Sequence, residues 1–307
     1  MKLSLPILVL LMLVCTAVAS PPALSQSVEQ DLERSFNSEA ARVEDFYKAK
    51  NFERMAFHAR RMVEIATKGA AAKKFTGFKR DDKLFKANSA LALALVSSNK
   101  HQEAVAALQD LLQLSISLPS GNLTKLARLR LATLDPSVDA LKIMDRTREG
   151  TTVNPPEIGG TEWIDSQPIK LSNLRGRVVL LDFWAPWCGP CHRIFPKLQN
   201  WSDSYKEQGL VVLGVTNYYG YAKGKKLTMA EEFSYLRDFK KRSRFSYASV
   251  VSESRANEIN YGVYSLPMTF LIDRRGFVRF IAFGAGDQEI ELLGKAVKQI
   301  LAEPYVE

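Results

Sequence analysis

The chain of 307 residues is long enough for two domains. With 46% hydrophobic and 24% charged residues it has the composition of a globular protein, which excludes wholesale disorder and a multi-span membrane protein. The net charge of +9 is spread along the chain, without the aromatic-interleaved basic stripe typical of nucleic-acid binding. We therefore expect no nucleic-acid partner, and we expect small basic clusters such as residues 240–244 to be solvated surface.

Residues 1–19 have the pattern of a secretory signal peptide. Lys2 supplies a positive start, an apolar run follows over residues 7–14, and Ala17-Val18-Ala19 is a small-x-small cleavage site. The apolar run is too short for a good transmembrane span. We predict an exported protein, periplasmic or otherwise extracytoplasmic. A membrane anchor, through an uncleaved N-terminus or a lipidated Cys15, is the alternative.

Residues 26–148 show only helical periodicity. Apolar residues recur at helical spacing in Val28–Lys48, Phe52–Thr67, Asp82–Ser98, Gln102–Leu114 and Leu123–Thr133. The alanine-rich segments within this region are similar to tetratricopeptide hairpins, although related pieces recur after about 50 residues rather than about 34. We predict an all-helical, tetratricopeptide-like domain, and a plain helical bundle is the alternative.

A linker over residues 149–157 follows, in which Pro155-Pro156 blocks helix continuation. Beyond it the pattern changes, and we expect residues 158–307 to form an α/β domain with helices flanking a mixed sheet. The predicted strands are Val178–Phe183, Val211–Val215, Ser249–Val251, Thr269–Ile272 and Phe277–Phe283. The predicted helices are Cys191–Lys206, Met229–Lys241, with Thr228 and Glu231 as a capping box, and Ile290–Leu301.

The segment from Asp182 to Cys191, Asp-Phe-Trp-Ala-Pro-Trp-Cys-Gly-Pro-Cys, places a C-x-x-C pair after a buried strand and at the start of a helix. The N–H groups and dipole of a helix N-terminus stabilise an anion, so the pKa of Cys188 should fall and its thiolate should attack disulfides. Cys191, one turn further on, is positioned to resolve the mixed disulfide. Because removal of Cys15 with the signal peptide would leave only this pair of the three cysteines, a redox use is favoured over a structural one.

This segment resembles the active-site sequence of thioredoxin, from which it differs only at Pro186. The wider domain resembles the TlpA/ResA-type thioredoxins, on the evidence of Leu171–Leu181 before the pair and of Leu266–Asp273 with Gly276 after it. The resemblance covers about Pro155 to Leu301. It implies a thioredoxin-like fold and a thiol:disulfide oxidoreductase that acts on protein disulfides without a cofactor.

The resemblance also implies site residues. The implied catalytic residues are the nucleophile Cys188, the resolving thiol Cys191, the buried proton carrier Asp182 and the cis-proline Pro267. The implied substrate contacts are Trp187, Gly189, Pro190 and Leu266. Asp182 interrupts an apolar strand, where burial of a charge is expensive, so a purely structural, hydrogen-bonded aspartate is the alternative. Trp187 should cover the site, and Trp184 should lie mostly in the core.

Three positions depart from the family patterns. Ile194 stands where TlpA/ResA-type proteins usually have a glutamate, and these proteins tend not to have an aspartate where Asp182 stands. The strand Val211–Val215 lacks the lysine that accompanies thioredoxin's aspartate, which leaves the pKa of Asp182 open.

His192 follows Cys191 directly, and we expect its side chain to point to solvent. Tuning of the thiolates by its imidazolium is the alternative.

Two other chemistries are excluded. A zinc site needs about four ligands, which two cysteines and one neighbouring histidine do not supply. A peroxiredoxin needs a threonine three residues before its cysteine, where Ala185 stands.

The direction of electron flow follows from the dipeptide between the cysteines. Gly-Pro is the dipeptide of thioredoxin, a reductant at about −270 mV, so we predict a reductase that receives electrons from a membrane partner of the DsbD/CcdA type. An oxidase or isomerase is the enzymatic alternative. A protein-binding scaffold is the alternative from another class, and the helical domain is expected to select a protein partner.

Overall fold

The computed structural model describes residues 22–139, 141–143, 154–222 and 224–305. The predicted signal peptide and most of the predicted linker lie outside the described residues. Within the described ranges, no helix is long and apolar enough to cross a membrane.

The described part of the N-terminal half is helical, and helices occupy all five predicted segments. Their bounds are α1 Pro22–Lys48, α2 Phe52–Ala71, α3 Gly77–Ser97, α4 His101–Ser117 and α5 Gly121–Leu134. Each helix packs on the next one in the chain. Alanines such as Ala59, Ala87 and Ala94 are fully buried, and such small side chains let helices approach closely. The tetratricopeptide likeness and the exact domain boundaries remain predictions.

The C-terminal half is built on a six-stranded mixed sheet with the order β1-β6-β3-β2-β7-β8. The strands are β1 Glu162–Ile164, β2 Val178–Phe183, β3 Leu210–Asn217, β6 Ser249–Ser252, β7 Met268–Ile272 and β8 Val278–Phe283. Strands β2, β3 and β6 are parallel, and their neighbours β1 and β7 run antiparallel to them. A separate hairpin of β4 Tyr221–Ala222 and β5 Lys225–Lys226 precedes the second helix of this half.

Four helices accompany the sheet: α6 Gly189–Tyr205, α7 Met229–Arg242, α8 Ala256–Asn260 and α9 Asp287–Ala302. The predicted capping box at the start of α7 is confirmed, because the Thr228 hydroxyl accepts the Glu231 N–H and the Glu231 carboxylate accepts the Thr228 N–H. Helices α6, α7 and α9 bury their apolar sides in one cluster on one face of the sheet. The expected thioredoxin-like architecture, a mixed sheet flanked by helices, is confirmed.

The opposite face of the sheet is covered largely by the N-terminal helices. Alternate residues of β2, Val179, Leu181 and Phe183, belong to the same buried cluster as Leu112 of α4 and Ala127 of α5. Because this cluster includes side chains from both halves, the two halves of the chain share one hydrophobic core. The sequence did not predict this, since periodicity shows that a helix has an apolar face but not which surface the face will contact.

Polar contacts fix the halves together at one end of this interface. The N–H groups of Gly121 and Asn122 donate to the carbonyls of Tyr261 and Gly262, both at 2.8 Å. A Cβ atom on Gly121 would lie 1.8 Å from Met268 Sδ, so only glycine fits at this close approach. The first turn of α5 therefore contacts the strand β7 at its first residue, Met268.

Candidate redox-active site

Cys188 and Cys191 form a disulfide at the point where β2 gives way to α6, with an S–S distance of 2.01 Å and a Cα–Cα distance of 5.3 Å. Cys188 is the N-cap of α6, and its Sγ accepts the Cys191 N–H at 3.2 Å. Pro190 occupies the first turn of the helix, where the lack of an N–H costs no hydrogen bond. The structure therefore places both cysteines at a helix N-terminus, as the sequence predicts.

The two sulfur-bearing residues differ in their access to solvent. Cys188 keeps a 4% exposed fraction, whereas Cys191 is fully buried. A backbone N–H directed at Cys188 Sγ, together with the helix dipole, stabilises negative charge on that sulfur once the disulfide is reduced. Of the two cysteines, only Cys188 keeps any exposure to solvent, and Cys191 is shielded.

The predicted contact residues surround Cys188. Trp187 is 64% exposed, and its ring meets that of Tyr219 edge-on at 5.4 Å. Gly189 and Pro190 are exposed, and Leu266 is half-buried. The Leu266–Pro267 peptide bond is cis, as predicted. Because Met268 pairs with Phe183 at the end of β2, Pro267 lies at the same edge of the sheet as the loop that leads to Cys188.

Asp182 is fully buried. It lies two residues after Leu180 in β2, so both side chains point to the same face of the sheet, and Leu180 belongs to the buried cluster that includes α6. The Tyr247 hydroxyl donates to Asp182 Oδ2 at 3.0 Å. Burial raises the pKa of Asp182 to about 7, although the side chains of Tyr247 and Thr269 act in the opposite direction. The carboxyl group thus titrates near neutral pH, which answers the question that the sequence left open.

Known proteins resemble the C-terminal half. Residues 156–281 match the AhpC/TSA family model. Protein DipZ of Mycobacterium bovis is 36% identical over 142 residues, which are 44% of this chain but only 19% of DipZ. Thiol-disulfide oxidoreductase ResA of Geobacillus thermodenitrificans is 28% identical over 168 residues, 54% of this chain and 88% of ResA. The C-terminal domain has a thioredoxin-like fold, and its sequence is similar to that of ResA.

A solved structure also resembles this domain. The putative thiol:disulfide interchange protein DsbE from Chlorobium tepidum has 27% sequence identity and a TM-score of 0.40, and the match covers 48% of this chain and 96% of that chain.

The C-terminal domain lacks the threonine of a peroxiredoxin site despite its AhpC/TSA match. Buried Ala185 stands three residues before Cys188, and no hydroxyl is available there to orient a peroxide. The family match therefore agrees with the fold of this domain without assigning it peroxidase chemistry.

Two residues that sequence reasoning missed, Lys240 and Tyr247, lie beside the buried Asp182 or its hydrogen-bond partner. Lys240 of α7 donates to the Tyr247 carbonyl oxygen at 2.6 Å and to Ser249 Oγ at 3.0 Å, and it pairs with Asp165 at 2.9 Å. Burial lowers the pKa of Lys240.

The expectation that residues 240–244 are solvated surface is wrong at Lys240, whose side chain points inward beside Tyr247 and is almost fully buried. The one available signal was the position of Tyr247, two residues before a predicted strand, which is too weak to identify a partner.

The two tryptophans have different surroundings. Trp184 is fully buried and stacks on Phe239 at 5.6 Å, which confirms its predicted place in the core. A Cβ atom on Gly214 would lie 2.7 Å from Trp184 Nε1, so the glycine in β3 makes room for the indole. Trp187, by contrast, lies on the surface beside Cys188 and is available to a partner.

His192 is exposed, as expected, but its ring has a defined position. Its Nε2 atom lies 3.0 Å from the Pro186 carbonyl oxygen, and its ring stacks on that of Phe195 at 5.8 Å. The imidazole thus contacts the loop before Cys188. Among the described residues, no group of three histidine, cysteine or acidic side chains is arranged to hold a metal ion.

Proposed function

We propose that the protein is an extracytoplasmic thiol:disulfide oxidoreductase that reduces protein disulfides through Cys188 and Cys191. The observation that supports it most is the pairing of an N-cap cysteine that keeps a slight exposure with a fully buried second cysteine and a buried carboxyl group on the same face of the sheet. The name that ResA bears, thiol-disulfide oxidoreductase, agrees with this proposal. The signal-like residues 1–19 support the location.

In the proposed reaction the reduced protein attacks first. The Cys188 thiolate forms a bond to one sulfur of a substrate disulfide, the substrate S–S bond breaks, and one substrate thiolate leaves. Cys191 then gives its proton to the Asp182 carboxylate, and its thiolate attacks Cys188 Sγ. The second substrate thiolate leaves as the Cys188–Cys191 disulfide forms, so two electrons pass from the protein to the substrate.

The carboxyl group of Asp182 suits this proton transfer. A general base works best when its pKa is near the working pH, and burial places the pKa of Asp182 at about 7. The cycle also needs two electrons to regenerate the thiols. A membrane donor of the DsbD/CcdA type is the proposed source, and the helical half is the proposed selector of partners.

The first test is the reduction potential of Ser20–Glu307, measured against a dithiothreitol or glutathione series through Trp187 fluorescence. A value near about −270 mV is expected for a reductase, whereas a value near about −120 mV would make the protein a disulfide donor. A Cys188→Ser variant should lose the transition. If the wild-type protein with intact thiols shows no transition, the enzymatic proposal fails and a binding scaffold becomes the better description.

A further inference from the structure

The helical half contacts the loop that enters the proposed site. Residues 264–266 lead directly into cis-Pro267. The ring of Phe78, on α3, meets the ring of Tyr264 edge-on at 5.8 Å, and Lys125 Nζ of α5 lies 3.4 Å from Ser265 Oγ. Phe78 is 62% exposed, and Tyr264 is also exposed. An aromatic side chain of the N-terminal half thus stands on the surface beside the loop before Pro267.

Tyr219, which is half-buried, and the exposed Arg255 connect Trp187 to this same loop. The ring of Trp187 packs against Tyr219. Arg255 is held by an ion pair with Glu258 and is within electrostatic range of the phenols of both Tyr219 and Tyr264. A surface that includes Trp187, Tyr219, Arg255, Tyr264 and Phe78 therefore runs from the redox site to the helical half; we call it the aromatic rim.

The chemistry proposed above determines what lies on this rim. A mixed disulfide bonds a substrate cysteine to Cys188, so the residues that flank this cysteine must lie on the surface around Trp187 and the loop before Pro267. Exposed aromatic side chains gathered around a functional site are typical of a binding surface, and aromatic residues with arginine contribute most of the energy of such surfaces.

We propose that Phe78 of the helical half extends the substrate-binding surface. Its occupant is an extended segment of the substrate polypeptide with apolar or aromatic side chains next to the disulfide-bonded cysteine. The inference rests on the proposed function, because that function places a polypeptide on the rim. In this arrangement the helical half contacts the substrate directly, through Phe78.

The test compares two disulfide substrates that differ in size. The reduced protein is mixed with a peptide whose disulfide-bonded cysteines are flanked by phenylalanine and leucine, or with 2-hydroxyethyl disulfide, which is small enough to engage Cys188 alone. Phe78→Ala should raise about tenfold the peptide concentration that gives half the maximal single-turnover rate, with the maximal rate unchanged, as expected for an aromatic contact made in binding. The same variant should reduce 2-hydroxyethyl disulfide at the wild-type rate.

Phe57→Ala is the matched control. Phe57 is likewise an exposed aromatic residue of the helical half, 56% exposed, but its ring packs against His58 and Arg61 of its own helix. Its replacement should change neither substrate. If Phe78→Ala leaves the peptide kinetics unchanged, or slows both substrates equally, the rim does not extend to Phe78.

A binding measurement separates this inference from the proposed function. The same peptide, with serine in place of both cysteines, cannot exchange disulfides, and its affinity for the oxidised protein follows from fluorescence anisotropy. Phe78→Ala should weaken this affinity about tenfold whether or not the wild-type protein reduces disulfides. Equal affinity for the two proteins, or no binding by either, overturns the inference, whereas absent reduction with this loss of affinity overturns only the proposed function.

Discussion

The side chain of Asp182 is subject to two opposing effects. Burial disfavours the carboxylate, whereas the Tyr247 hydroxyl, 3.0 Å from Oδ2, stabilises it. Burial is the larger effect, and the pKa of Asp182 rises to about 7. Since only the carboxylate accepts a proton from Cys191, the proposed resolving step should accelerate as the pH rises through neutrality.

Tyr247→Phe should move this acceleration to higher pH. The variant removes a donor that favours the carboxylate, so the pKa of Asp182 rises further. A hydrogen bond to a charged group contributes about 1.5–3 kcal/mol, which corresponds to a shift of about one to two pH units. The measurement is the rate of the resolving step as a function of pH, in single turnovers with a peptide disulfide.

Tyr261→Phe is the control for this shift. Tyr261 is also buried, but it belongs to the core cluster on the other face of the sheet, and its hydroxyl donates to the Pro156 carbonyl oxygen. Its loss should leave the pH profile in place, and Asp182→Asn should remove the pH-dependent rise altogether. An unchanged profile in Tyr247→Phe would show that Asp182 does not accept the proton.

At the scale of elements, the sequence predicts long segments with clear periodicity and misses short ones. The bounds of β2 agree with the prediction at both ends, and α7 starts at the predicted Met229 because its capping box is visible in the sequence. Strands β1, β4 and β5 have only two or three residues, too few to show alternation. The short helix α8 was missed for the same reason.

The same contrast holds within the site. A ten-residue motif locates Cys188, Cys191 and Asp182, because the chemistry needs these residues at fixed spacing after a strand. Tyr247 reaches Asp182, and Lys240 reaches Tyr247, only through tertiary packing, from the segment before β6 and from α7. No local pattern encodes such a contact, so the sequence could not reveal it.

Gly121, in the first turn of α5, should tolerate no side chain. Gly121→Ala puts a Cβ atom 1.8 Å from Met268 Sδ, and overpacking of this kind costs about 1–3 kcal/mol. Alanine has a better helix propensity than glycine, but this gain offsets at most about 1 kcal/mol of the overpacking cost. We therefore expect a net loss in the free energy of unfolding, measured by urea denaturation.

Gly159→Ala is the control for Gly121→Ala. A Cβ atom on Gly159 would meet no atom within 4 Å, so this change should stay within about 0.5 kcal/mol of wild type. If the two alanine variants were equally stable, the first turn of α5 would not lie against Met268 as closely as the structure has it.

At the scale of the whole molecule, the shared core makes the helical half part of the redox domain's stability. One face of the sheet is buried under α6, α7 and α9, and the other is buried largely under helices that precede the predicted linker. Separation of the halves would expose the apolar side chains of β2, β3 and β7 on that second face. We therefore expect the two halves to unfold together in one transition.

An ion pair across the interface allows this expectation to be tested. The terminal nitrogens Nη1 and Nη2 of Arg128 donate to the Glu289 carboxylate, at 2.6 and 2.8 Å, and the Arg128 guanidinium lies over the ring of Phe283 at 4.7 Å. Both partners are largely buried. Removing one partner of a buried pair leaves an uncompensated charge, so Arg128→Ala should lower the free energy of unfolding by about 3 kcal/mol.

The readout can follow the halves separately, because all four tryptophans, Trp163, Trp184, Trp187 and Trp201, lie in the C-terminal half. Tryptophan fluorescence therefore reports on the sheet domain, while far-UV circular dichroism includes all the helices. In Arg128→Ala the two denaturation curves should coincide and shift together.

Lys295→Ala is the control. It breaks an exposed pair with Glu291 on the same helix as Glu289, and it should lower the free energy of unfolding by less than about 0.5 kcal/mol. Two separate transitions, in the wild type or in Arg128→Ala, would show that the halves unfold independently despite the core they share.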